Sequence, residues 1–199
     1  MIIDQKILPL AALPQPVPSI YKGGDCGACV LGGLLLPDYH DVEVVYTICR
    51  GDVDSFAYTT MTNSLFHARA NGLIRDFIHS VPTWGRPECF MQYGTTSWQV
   101  ANEWFDYIKI AILAGYYGVA SVDAFGKSGE IDHWVLMKGF RIRAIPIKGH
   151  PKAKRISKDL LISNSSTQRP DLKWIPVARF LRKHGGYNAI LVRPLQTEQ

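Results

Sequence analysis

Cysteine is scarce in this chain, and long apolar runs are missing. Four cysteines in 199 residues, at 26, 29, 49 and 89, are too few to staple a fold of this size. An apolar fraction of 47% supplies a core without them. That usage points to reduced thiols and a cytoplasmic setting. No stretch of about 18 apolar residues occurs, so no membrane-spanning helix is expected. The start, Met1-Ile-Ile-Asp4, turns Pro-rich by Pro9 without a basic segment or a long apolar stretch, which argues against a secretory signal. Internal repeats and low-complexity tracts are also missing. One domain over 1–199 is the expectation, with two lobes allowed by its length.

Acidic residues are rare in one half. Residues 138–199 hold 14 Lys/Arg and 3 Asp/Glu, a net of +11; residues 1–137 hold 8 and 14, a net of −6. The densest basic stretch is Lys148-Gly-His-Pro-Lys-Ala-Lys-Arg155. It reads as a solvated loop, and an acidic partner there is the functional alternative. Nucleic acid is disfavoured, because Gly and Pro break the run and no aromatic side chains interleave to stack on bases.

Prolines at 9, 14, 16 and 18 forbid a helix in residues 1–18, which read as an extended arm across the body. A short helix is expected after Gly23-Gly24, ending at Leu36 before Pro37. Its Gly32-Gly33 pair is poor for a helix and implies that something packs very close there. Residues 42–49 fit a strand or a second short helix. The spacing of Leu65, Ala68, Gly72, Leu73 and Phe77 predicts a helix over 62–79. Thr96-Ser97 can cap a longer helix whose buried face is Trp98, Ala101, Phe105, Ile108 and Ile112. Strands are expected at 119–125, 133–143, 160–163 and 189–193, with a short helix over 175–183. Helices first and an antiparallel sheet second make the class α+β. The division is an arm (1–18), a mainly helical lobe (19–118) and a mainly β lobe (119–199).

Three segments carry chemistry. Cys26-Gly-Ala-Cys29 puts thiols at the start of a helix-like run. His133-Trp-Val-Leu-Met-Lys-Gly139-Phe140 puts an imidazole on an apolar strand. Leu160-Leu-Ile-Ser-Asn164 ends another strand in a side-chain amide. A thiol, a base and a group that orients the base are the parts of a cysteine nucleophile. A helix N-terminus favours the thiolate over its usual pKa of about 8.5. Trp134, beside His133, is a candidate shield against water. His40, His67, His79, His150 and His184 lack comparable surroundings. Cys-x-x-Cys is also half a zinc site, but Cys49 and Cys89 are isolated and only His40 offers itself nearby. A redox Cys-x-x-Cys needs an apolar strand before it, and Tyr21-Lys-Gly-Gly-Asp25 reads as a turn. Both cysteines also fit as plain core residues of an inactive protein.

The same segments resemble the papain-like cysteine peptidases. Gly24-Asp-Cys-Gly-Ala-Cys29 is similar to their nucleophile segment and His133-x-Val135-x-x-x-Gly139-Phe140 to their histidine strand. Leu161-Ile-Ser-Asn164-Ser165 is similar to their asparagine segment, and Gly186-Tyr-Asn-Ala-Ile-Leu-Val-Arg193 to their last strand. The likeness covers roughly a fifth of the chain, in matching order. It implies a helical lobe, a β lobe and a cleft between them, with a catalytic triad of Cys29, His133 and Asn164. Cys26 would be the companion cysteine, which secreted members usually tie into a disulfide. Asp25-Cys26-Gly27 also resembles the Asp-Cys-Gly of bacteriocin-processing and other papain-fold peptidases, where that first cysteine attacks. The implied activity is thiol-protease hydrolysis of a peptide or isopeptide bond through a thioester, on a protein or peptide substrate, without metal or organic cofactor. Deamidation or acyl transfer would use the same parts.

The sequence departs from that pattern in three places. The family's oxyanion glutamine lies six residues before the nucleophile, where this chain has Gly23 (counting from Cys29) or Ile20 (from Cys26). Gln15, Lys22 or backbone N–H groups are the substitutes. Val30 stands where an aromatic residue usually follows the nucleophile, and Ser166 replaces the tryptophan after Asn-Ser. The missing glutamine favours the rival reading, a non-catalytic papain-fold protein that binds through its basic half, and the intact Cys/His/Asn order opposes it.

Overall fold

Two long strands organise the molecule. In the computed structural model, β4 (His133–Ile147) and β5 (His150–Asn164) form a hairpin of 15 residues a side, turning through Lys148 and Gly149. Gly149 has φ 83°, a left-handed value that glycine adopts without steric cost. The structure describes residues 1–16, 25–35, 38, 41–47, 58–78, 98–123, 133–165, 173–184 and 189–195. The element order is β1 (Ile2–Ile7), α1 (Asp25–Gly32), α2 (Val42–Val45), α3 (Tyr58–Ala70), β2 (Ile74–Ile78), α4 (Trp98–Leu113), β3 (Tyr117–Val122), β4, β5, β6 (Lys173–Pro176), α5 (Val177–His184) and β7 (Ala189–Pro194).

The seven described strands belong to one antiparallel sheet, ordered β2-β7-β3-β4-β5-β6, with β1 also paired to β4. β1 takes the same edge of β4 as β3 does, further along. β3 pairs with residues 133–137, and β1 with 139–143. The expected α+β class holds. β1 belongs to the stretch read as an arm, β2 to the stretch read as a helical lobe, and both join the sheet.

The helix expected over 62–79 ends at Ala70. Asn71 Nδ2 donates to His67 O, and Gly72 turns the chain with φ 67°, so Ile74–Ile78 leaves as a strand paired to β7. The apolar spacing ran through this turn because Leu73 and Ile74 are buried on the strand side of it. Val42–Val45 is helical for one turn, capped by Asp41 Oδ1 accepting from Glu43 N at 2.8 Å.

α4 lies on the hairpin as its periodicity predicts. Ala101, Phe105, Ile108 and Ile112 are buried, together with Trp104. Phe105 meets Phe140 edge-on at 6.2 Å, and Trp104 meets Phe180 of α5 at 6.1 Å. Burying each phenylalanine contributes about 2–3 kcal/mol, and an edge-on pair about 1 more. Lys158 pairs with Asp106 at 2.8 Å, and Lys109 with Asp4, along the flanks of that contact. Asp159 on β5, fully buried, accepts from Arg141 at 2.8 Å, Arg143 at 2.6 Å and the Ser157 hydroxyl at 2.8 Å. Arg141 stacks 4.3 Å from the Trp174 ring centre.

Past β1 the chain does run extended, across the sheet to α1. Leu8 N donates to Lys138 O at 2.7 Å and Leu10 N to the Tyr117 hydroxyl at 2.9 Å. Lys138 sits where the β4–β5 register shifts, and its buried ammonium donates to Pro9 O at 2.9 Å. Burial lowers the pKa of that ammonium. The close neighbour that Gly32-Gly33 implied is this segment. A Cβ on Gly33 would stand 2.0 Å from Ala11 O, and one on Gly32 2.8 Å from a Leu13 methyl.

Candidate functional site

The imidazole and the amide meet. His133 opens β4 and Asn164 closes β5. The register sets Val135 opposite Asn164, so His133 is the diagonal neighbour of Asn164. His133 Nε2 lies 2.6 Å from Asn164 Oδ1. An amide oxygen only accepts, so this contact holds the ring proton on Nε2 and leaves the Nδ1 lone pair to act as a base. Trp134 cannot shield this ring from the same face. It pairs with Ser121 on regular ladder, where successive side chains point to opposite faces.

The cysteines sit on α1, which packs against β4. Asp25, Cys26 and Cys29 are all buried, and the two thiols are not joined in a disulfide. Their positions differ in kind. Cys26 is the second residue of the helix, in the turn whose N–H groups have no partner inside the helix. Cys29 is one turn deeper. Its Sγ points at Pro14 O, 3.6 Å away. Burial first, then the charges of Asp25 and Cys26, push the Cys29 thiol up to about 12. A carbonyl oxygen facing the sulfur favours the protonated thiol as well. The expectation that the thiolate forms at Cys29 meets these three opposing effects.

Residues 12–15 link the thiol helix to the amide strand. Ala12 N donates to Ser163 Oγ at 3.1 Å, Leu13 N to Cys29 O at 2.9 Å and Gln15 N to Ser165 O at 2.9 Å. Successive backbone nitrogens are at most about 3.6 Å apart, so Ser163 Oγ and Cys29 O lie within about 10 Å of each other. The helix that carries both thiols therefore lies beside the strand end that carries Asn164. Gln15, one of the substitute donors for an oxyanion, is anchored next to Asn164 through its backbone.

Sequence reasoning passed over two groups here. The Tyr46 hydroxyl donates to Asp25 Oδ1 at 2.8 Å, both buried, and so fixes a carboxylate at the start of the thiol helix. Pro14 supplies the carbonyl against Cys29. An acidic residue just before a helical cysteine was visible in the sequence; its tyrosine partner, 21 residues on, was not. His67 and His150 are exposed, away from this cluster. Lys22, Gly23, Ile20, His40, His79, Cys49, Cys89 and Ser166 lie outside the described residues. Among the described residues no group of three or more His, Cys, Asp or Glu side chains is arranged to hold a metal ion, and no helix is long and apolar enough to cross a membrane. No protein-family model matches this chain, and neither does a curated protein or a solved structure.

Proposed function

We propose that this chain is a papain-like cysteine hydrolase acting on a peptide or isopeptide bond, with Cys26 as nucleophile, His133 as base and Asn164 as the group that orients His133. The observation that carries the reading is the 2.6 Å contact between His133 Nε2 and Asn164 Oδ1. It presets one tautomer of an imidazole at the strand ends nearest the thiol helix. Cys26 is preferred over Cys29 because the helix terminus stabilises a thiolate, whereas Cys29 is held protonated.

His133 Nδ1 takes the Cys26 proton, and the sulfur attacks the substrate carbonyl carbon. The tetrahedral oxyanion collapses, the C–N bond breaks, and the leaving amine takes the proton from His133. A thioester remains on Cys26. Water then attacks it, His133 accepts a proton from that water, and the acid departs as the thiol is restored. The Cys26 N–H, in the first turn of α1, and Gln15 are the donors proposed for the oxyanion in place of the family's glutamine. The same sequence with an amine or a side-chain amide in place of water or peptide gives acyl transfer or deamidation. Reduced thiols make a cytoplasmic setting part of this reading.

The test is labelling by a peptidyl vinyl sulfone, with the modified residue located by mass spectrometry. An adduct on Cys26 that disappears in His133→Ala, in a variant with an unchanged unfolding midpoint, is the expected result. Labelling indifferent to His133 would leave a papain-fold binding protein as the better reading.

A further inference from the structure

The far end of the hairpin was read as a solvated loop, and it is not one. Residues 148–149 turn, and the basic residues that follow stand on β5 itself. β6 covers the outer edge of β5 only from Asp159 to Ile162. Over 154–158 no described strand pairs with that edge. Five residues without a described strand partner run about 17 Å. Their backbone groups form a template for one more strand.

Two features decide what can use this template. Lys152, Lys154 and Arg155 are exposed, as are Lys148 and His150 at the tip, and none of them is ion-paired among the described residues. A second copy of this chain would set these cations against themselves. Edge lysines and a register break are common devices against such pairing, and the register shifts between Pro146 and Ile147 here. Apolar side chains stand among the cations: Ile147 is 38% exposed and Ile156 48%. A nucleic acid offers nothing to those isoleucines, and no aromatic ring in this stretch can stack on a base. The opposite edge of the hairpin tip contains Pro146, which has no N–H to donate, so it is a poor template.

We infer that the outer edge of β5 over 154–158 docks an extended acidic peptide segment, with carboxylate and apolar side chains on both of its faces, as an added β-strand. Its carboxylates meet Lys152 and Lys154 on one face of the sheet and Arg155 on the other, and an apolar residue lies beside Ile156. This surface is on the strand that ends at Asn164, ten residues beyond Lys154 and about 34 Å away along β5. The docking stands apart from the chemistry proposed at that other end.

The test uses fluorescence anisotropy of a fluorescein-labelled dodecapeptide that repeats Glu-Glu-Val-Val, so that each face of the strand carries both residue types, with the full chain carrying Cys26→Ala so that no reaction intervenes. Three controls accompany it: a Lys/Val dodecapeptide, a single-stranded oligonucleotide and a duplex of similar charge. The Glu/Val probe should bind, and the Lys/Val probe should not. Binding should weaken as salt rises. The triple variant K152E/K154E/R155E, altered only at exposed positions, should bind about 30-fold more weakly, the sum expected of three exposed charge pairs. Hydrogen exchange of the 154–158 amides should slow when the Glu/Val probe is bound. Oligonucleotide binding without Glu/Val binding would overturn the choice of partner. Glu/Val binding with unchanged exchange at 154–158 would overturn strand addition.

Discussion

Cys26 and Cys29 are three residues apart on one helix, and the Cys29 thiol should react orders of magnitude more slowly than an ordinary cysteine. Only the thiolate alkylates. With the Cys29 thiol pushed up to about 12 against an ordinary 9.0, its thiolate fraction near pH 7.5 falls from roughly 3% to about 3 in 10⁵. Iodoacetamide should therefore modify Cys29 about 10³-fold more slowly than an ordinary cysteine, before burial of the sulfur slows it further. The rate should keep rising about tenfold per pH unit through pH 9 and 10, where a normal thiol levels off. The measurement is time-resolved alkylation of the folded chain, with Cys26→Ala isolating Cys29 and fragment spectra separating it from Cys49. Unfolding in urea should erase the difference. Fast alkylation of Cys29 in the folded protein at neutral pH would refute the reasoning, and with it the preference for Cys26.

Four further outcomes follow from the same geometry. Gly33→Ala places a Cβ 2.0 Å from the Ala11 carbonyl, a backbone atom that cannot rotate away, so it should lower stability by about 2–3 kcal/mol in urea unfolding. Gly118→Ala meets the end of the unbranched Met137 side chain at 2.2 Å rather than a backbone atom and should cost less. Asn164→Ala should slow turnover about 10²-fold with the unfolding midpoint little changed, because the imidazole loses its fixed tautomer and orientation; ¹⁵N shifts of the His133 ring should report mixed tautomers. Cys29 and Tyr117 both have pKa values raised to about 12, mainly by burial. In the unfolded chain they ionise from about 9 and 10 upward, so the stability tied to their neutral forms is complete below pH 9 and drains away as pH approaches 12. Cys29→Ala should flatten the alkaline decline relative to the parent, measured by unfolding midpoints between pH 8 and 11.

Local patterns carried much of this architecture. Residues 101, 105, 108 and 112 repeat at helical spacing because one face of α4 lies on Phe140, and that contact needs no long-range information to anticipate. The Gly32-Gly33 pair announced a close neighbour, and Ala11 is that neighbour. The order of His133 and Asn164 suggested their meeting, since paired antiparallel strands bring the start of one beside the end of the next. Pairing partners were harder to read. β1 and β2 are short strands whose place in the sheet depends on β4 and β7, more than a hundred residues later in each case. The basic stretch looked like a loop because Gly and Pro interrupt it. Gly149 instead makes a tight turn, and the strand resumes around a register shift. The different surroundings of the two thiols were also invisible, because they include a carbonyl brought in from residue 14.

That carbonyl shows what the early prolines do. A segment crossing a buried face must find an acceptor for each N–H or leave it in water. Between residues 8 and 15, Pro9 and Pro14 have no N–H. Leu8, Leu10, Ala12, Leu13 and Gln15 donate to Lys138, Tyr117, Ser163, Cys29 and Ser165. Ala11, the remaining donor, is in an exposed residue. The prolines thus reduce the donors that the sheet and α1 must accommodate, and the carbonyl of Pro14 remains to face Cys29. The segment lies over the deeper thiol and ties the helix to the strand end of Asn164. Of the two cysteines, it is the one under this strap that is held neutral, and the one at the helix terminus that keeps the favourable dipole. The difference in surroundings between the two thiols therefore rests on where the first sixteen residues lie as much as on α1 itself.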